Sequence, residues 1–144
     1  MKEPVRLLPH LVRLLHSRLV AEHGGAYGIR DEGLLEAALA KPRQIFAYAE
    51  DSDLPTLAAG YAAGILHSHP FVDGNKRTGF AAAAIFLDRN GRPLAAPEAE
   101  ATAMTLALAA GEIDEDAFGA WLHASSARAR ATRAKKTGQR RRPG

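Results

Sequence analysis

A chain of 144 residues with 47% hydrophobic content can build one packed domain but not two ordinary ones. Without cysteine it has neither a disulfide framework nor a thiolate zinc site, and no apolar run approaches the roughly 18 residues of a membrane span. Residues 127–144 hold eight of the 19 basic residues and none of the 16 acidic ones, which leaves 11 cations against 16 anions in residues 1–126, a net of −5.

Met1-Lys2-Glu3-Pro4 leads into a stretch broken by Arg6, His10, Arg13 and Arg18, so no signal-peptide core is expected and a cytoplasmic location is. Leu7, Leu8, Leu11, Val12, Leu14, Leu15 and Leu19 recur at helical spacing, with Gly24-Gly25 as the stop. Asp31 reads as the N-cap of a second helix whose buried face is Leu34, Leu35, Ala38 and Leu39, ending at Pro42. Residues 42–54 mix Ile45, Phe46 and Tyr48 with polar Glu50-Asp51-Ser52-Asp53 and suggest an exposed hairpin or flap. Asp53 and Pro55 open a third helix through Ala58, Tyr61, Ala62 and Ile65 towards His67. Gly60 and Gly64 share one face of it, which signals a second backbone passing close by.

Next comes His69-Pro70-Phe71-Val72-Asp73-Gly74-Asn75-Lys76-Arg77-Thr78-Gly79, followed by eight apolar residues from Phe80 to Leu87. A helix apolar all round belongs at the centre of a domain. Asn90-Gly91 should end it, Pro97 should open a helix through Met104 and Leu108, and Asp114 should cap a last one carrying Phe118, Trp121 and Leu122. Strand-like alternation is too sparse for a sheet. The expected fold is all-α, about six helices around a buried central one, with a flap before the third. Its domain is 1–126, and 127–144 form a basic extension with too little apolar surface to order itself. Clustered cations also suit a phosphate backbone, but the tail has no aromatic residue to stack on bases, so nucleic-acid contact is not favoured.

The chemistry follows from where the motif falls, between the end of one helix and the start of the next. First-turn N–H groups lack intrahelical partners and the helix dipole favours an anion there. Gly74 lets a ligand approach the backbone, Asn75 adds a side-chain amide, and Lys76 and Arg77 add fixed positive charge. The turn is a candidate phosphate cradle. Asp73 beside it is either a magnesium ligand, since magnesium takes one or two carboxylates and fills its other positions with phosphate and water, or a helix cap. His69 has the side chain of the turn suited to general-base work near neutrality. Metal, cradle and base are the parts of a phosphoryl or nucleotidyl transferase.

Blander readings stand beside these. Phe71 and Val72 suit core anchors, and Lys76 and Arg77 suit ordinary surface cations. His67 and His69, two apart on a helix, diverge by roughly 200° and make a poor metal pair. His10, His16, His23 and His123 have no motif around them and read as surface or helix-end histidines. A Walker A loop fails on spacing, because the lysine follows asparagine.

The complete string resembles the Fic family motif, His-x-Phe-x-Asp/Glu-Gly/Ala-Asn-x-Arg, and more closely its death-on-curing (Doc) branch. Residues 28–40 and 109–114 are similar to further segments of that branch, so the resemblance spans about 7–125. It implies that His69 activates a hydroxyl of a protein target, that Asp73 holds Mg2+, and that Gly74, Asn75 and Arg77 bind nucleotide phosphates. It also implies that the target docks at the flap near 42–54. AMP-transferring members usually have glycine at the place of Lys76 and a second arginine at that of Phe80. The Doc branch shares both departures, which implies a kinase using Mg2+ and ATP, with a threonine of elongation factor Tu as target. The family's inhibitory Ser/Thr-x-x-x-Glu-Gly/Asn helix is not found in the sequence, so the resemblance implies a separate antitoxin and the role of toxin in a toxin–antitoxin pair. AMP transfer and a non-catalytic nucleotide- or nucleic-acid-binding module are the alternatives.

Overall fold

In the computed structural model, which describes residues 3–126, Asp31, Asp53 and Asp114 each stand one residue ahead of a helix and accept its orphan N–H groups. Asp31 Oδ1 accepts from the Leu34 N–H at 3.0 Å, Asp53 Oδ1 from the Thr56 N–H at 2.9 Å, and Asp114 Oδ1 from the Ala117 N–H at 2.8 Å. The chain runs as α1 (Pro9–His23), α2 (Glu32–Tyr48), α3 (Leu54–Ser68), α4 (Asn75–Arg89), α5 (Glu98–Ala110) and α6 (115–126). The all-α expectation holds, and Gly24 and Gly111 end α1 and α5 at positive φ. The basic stretch 127–144, expected to be a disordered extension, lies outside the described residues.

Asp53 also makes a testable cap. Burial alone would raise its pKa, but hydrogen bonds from the Thr56 hydroxyl and N–H, together with His123 and Arg92, hold it below the ordinary carboxylate value. A lowered carboxylate stabilises the fold above its unfolded-state titration and loses that contribution as pH falls through the folded-state value. Asp53→Ala should therefore cost about 1 kcal/mol at neutral pH. Urea melts of variant and parent should converge as pH falls through the lowered folded-state value, where the carboxyl becomes protonated in both states.

The hairpin or flap expected at 42–54 does not form: α2 continues through Pro42 to Tyr48, and only 49–53 links it to α3. An interior proline costs a helix about 3 kcal/mol, and packing offsets it. Pro42 is buried, and a Cβ at Gly60 would stand 3.4 Å from Pro42 Cγ and 3.0 Å from Ile45 Cδ1. One turn on, a Cβ at Gly64 would stand 3.1 Å from the Ala38 Cα, Cβ and O atoms. The two glycines thus let α2 lie directly on α3, as their spacing suggested, and the same contact carries α2 past its proline.

The domain does wrap a buried helix, but the most enclosed one is α3, buried continuously from Leu57 to Ala63 and again at Ile65 and Leu66. It packs against α2, α4 and α5. On α4, Ala82, Ala83, Phe86 and Leu87 are buried, whereas Phe80, Ala81, Ala84 and Ile85 are half-buried and line an apolar groove of about 600 Å3 towards α5. Among the described residues no helix is long and apolar enough to cross a membrane.

Candidate functional site

Helix α3 ends at Ser68, and His69 then takes φ 51°, ψ 59°, while its N–H donates to the Ile65 carbonyl at 3.1 Å. Among the described residues it is the one non-glycine at positive φ. It also precedes Pro70, and a proline pushes its predecessor towards extended backbone. Such a conformation costs on the order of 1–3 kcal/mol and persists only where the surroundings hold it.

After this corner the turn delivers the rest of the motif into one cavity of about 640 Å3. His69, Asp73, Gly74, Asn75, Lys76 and Arg77, the six site residues expected from the sequence, all line it. Val72, which suited a core anchor, is exposed beside them. His23 from the end of α1 with Glu98, Thr102 and Leu106 from α5 complete the walls. No motif surrounds those four, and only the packing of α1 and α5 against α4 brings them there. His67, the other half of the weighed metal pair, points elsewhere, with Nε2 3.3 Å from the Leu108 carbonyl.

At the start of α4, Gly74 sits at φ 74°, ψ 18° without a side-chain cap. The Thr78 N–H reaches the Gly74 carbonyl at 3.0 Å, which leaves the N–H groups of Asn75, Lys76 and Arg77 without a backbone acceptor among the described residues. Three such groups at the positive end of a helix dipole suit an anion, which makes this helix start a candidate cradle. Neither Lys76 nor Arg77 is ion-paired among the described residues, so both cations remain available to a ligand. The side-chain amide of Asn75, expected to reach for phosphate, is occupied instead. Its Oδ1 accepts from the Phe71 N–H at 3.0 Å and its Nδ2 donates to the Phe71 carbonyl at 3.0 Å, both buried. Asn75 therefore offers the cradle a backbone N–H, and its side chain shapes the turn.

Asp73 does not cap α4. Its Oδ1 accepts from the Gly74 N–H at 2.9 Å and its Oδ2 from the Ala26 N–H at 3.3 Å. Gly25, at φ +113°, makes room for this: a Cβ there would stand 2.8 Å from Asp73 Oδ2. Each carboxylate oxygen thus keeps a lone pair beyond the one it has used. Among the described residues no three His, Cys, Asp or Glu side chains form a cage. An exposed carboxylate beside such a helix start suits a hard cation that draws its remaining ligands from phosphate and water.

His16, read from the sequence as a surface or helix-end residue, is 3% exposed. Its ring stacks on Phe71 at 3.9 Å and 7°, and Nε2 donates to the Asp73 carbonyl at 2.7 Å. The carbonyl can only accept, so the proton is on Nε2. The overlooked signal was its place midway between Val12 and Val20, on the stripe that α1 buries. His16→Ala should cost about 2–4 kcal/mol, from the lost stack and an unpaired carbonyl, measured as a lower urea midpoint. His16→Gln, which keeps a donor, should recover part of that loss.

The α1–α2 loop flanks the turn on the other side. Ile29 and Phe71 form an antiparallel bridge, the Val72 N–H donates to the Gly28 carbonyl at 3.1 Å, and the Pro70 carbonyl accepts from the N–H groups of Arg30 and Asp31 at 2.7 and 3.1 Å. The loop beside the motif is thus 25–31, and 42–54 plays no part in this pairing.

A family of known proteins matches this chain over the stretch that contains the motif. The model of the Fic/DOC family matches residues 6–87. A relative named Protein kinase doc, from Escherichia phage P1, is 34% identical over 105 residues, 73% of this chain and 82% of that protein. Another, named Toxin Doc, from Mycolicibacterium smegmatis, is 47% identical over 76 residues, 51% of this chain and 57% of that protein.

Proposed function

Because this chain belongs to the Fic/DOC family, we propose that it is the toxin of a toxin–antitoxin pair and a protein kinase that transfers the γ-phosphate of ATP to a threonine hydroxyl of elongation factor Tu. The observation that carries this is the convergence in one cavity of His69, the free N–H groups opening α4, two unpaired cations and the Asp73 carboxylate. The names of the two relatives, a kinase and a toxin, support the same reading, and a separate antitoxin is its expected partner.

In this reading the N–H groups of residues 75–77, with Lys76 and Arg77, hold the nucleotide phosphates in place. Asp73 would hold Mg2+, which supplies charge neutralisation to the phosphates when bound. His69 takes the proton of the threonine hydroxyl as its oxygen bonds to the γ-phosphorus. The bond between that phosphorus and the β–γ bridging oxygen breaks, and ADP leaves with the electron pair.

The runner-up is AMP transfer. Phe80 argues against it, because a half-buried ring on the apolar groove stands where AMP-transferring members place a second arginine. Incubation with Mg2+, ATP and elongation factor Tu should label the factor from γ-labelled and not from α-labelled nucleotide. Label from the α position would turn the assignment to AMP transfer, and label from neither would overturn both.

A further inference from the structure

A general base usually has a partner that fixes its ring, yet among the described residues nothing hydrogen-bonds the His69 imidazole. The direction of that ring is therefore set by its backbone, and the backbone is in a conformation it would not hold unaided. One side chain reaches the corner from outside. Arg30 Nε donates to the His69 carbonyl and its NH2 group to the Ser68 carbonyl, each at 2.8 Å. With the N–H groups of Arg30 and Asp31 on the Pro70 carbonyl, three successive carbonyls, at 68, 69 and 70, are all gripped from residues 30 and 31. These carbonyls lie at the C-terminal end of α3, where a helix presents unpaired acceptors and the negative end of its dipole, and a planar guanidinium can bridge two of them at fixed spacing.

We infer that Arg30 is a positioning residue: its guanidinium holds His69 in the left-handed conformation and thereby aims the imidazole at the incoming hydroxyl. Arg30 does not line the cavity, so it acts through the histidine and has no contact with the nucleotide. The inference rests on the reading of His69 as the base, and it makes two separable demands. Without the guanidinium, residue 69 should leave positive φ. The rate of transfer should fall while nucleotide binding stays as it was.

The test compares full-length Arg30→Ala and Arg30→Lys with the parent protein, and it is feasible because Arg30 is exposed. Scalar couplings across the N–Cα bond of residue 69 report the sign of φ without any activity. Steady-state transfer from γ-labelled ATP reports kcat and KM. Arg30→Ala should lose positive φ and lower kcat by about 100-fold, the loss that a displacement near 1 Å can produce, with KM for ATP unchanged. Arg30→Lys, which can serve only one carbonyl at a time, should fall between. Positive φ retained, an unchanged kcat, or a kcat loss matched by weaker ATP binding would each overturn the inference. His69→Ala with full activity would instead remove the base reading on which it rests, and the couplings would still decide whether Arg30 holds the corner.

Discussion

Replacing His69 with alanine should lower kcat for phosphate transfer by about 10²- to 10⁴-fold, the range a positioned general base contributes, while nucleotide affinity stays near that of the parent. The split follows from the geometry. In the proposed reading the phosphates are held by the N–H groups of residues 75–77 and by Lys76 and Arg77, and the His69 ring is kept for the proton. The fold should survive too, because the ring is exposed and makes no hydrogen bond among the described residues. Equilibrium titration with ATP and Mg2+, beside transfer from γ-labelled ATP, separates the two effects. A variant that binds nucleotide and transfers at the parental rate would remove His69 as the base, and one that no longer binds would assign the ring to the cradle.

Asn75→Ala should do the opposite, by damaging the fold first and the chemistry through it. It would leave the N–H and carbonyl of Phe71, a residue 1% exposed, without partners. Each such group costs about 1–3 kcal/mol, giving an expected loss of about 2–6 kcal/mol, or a melting temperature lower by roughly 10 °C. Because the same amide closes the turn on which the first turn of α4 is hung, nucleotide binding should fall with stability. Asn75→Asp separates the effects further. Its carboxylate accepts from Phe71 N–H as the amide does, but it has no donor for the carbonyl and brings negative charge to an anion site. Nucleotide affinity should then fall more than stability. An unchanged melting temperature in Asn75→Ala would show that the amide does not hold the turn.

What could be read from the sequence was local. Asp31, Asp53 and Asp114 announce helix starts because a cap reaches only three residues along its own chain. The six residues lining the cavity were legible because they lie within nine positions of one another, on one turn and one helix start. Apart from Asn75, whose partner Phe71 is four residues back, the misreadings involve partners far away in sequence. Pro42 is a helix breaker by local rules, and what overrides them is contact with Gly60 on another helix. His16 looked like a surface residue because its partners, Phe71 and the Asp73 carbonyl, are more than 50 positions on. Asn75 was given to phosphate because an amide beside a glycine suits an anion equally well, and only the backbone path of Phe71 shows that it is already engaged. The full burial expected of the helix after the motif belongs more to α3, which is buried continuously from Leu57 to Ala63.

The supports of the motif turn have an order in time. His16, Ala26, Gly28, Arg30 and Asp31, which grip residues 69–73 from outside the turn, all precede it in the chain. During synthesis, which proceeds at about 5–20 residues per second, the supports leave the ribosome before the turn they will hold. Asn75 and the α5 wall follow it. A nascent chain therefore carries the scaffold of its site seconds before it carries a base or a cradle, and the working pocket closes only when α5 is out.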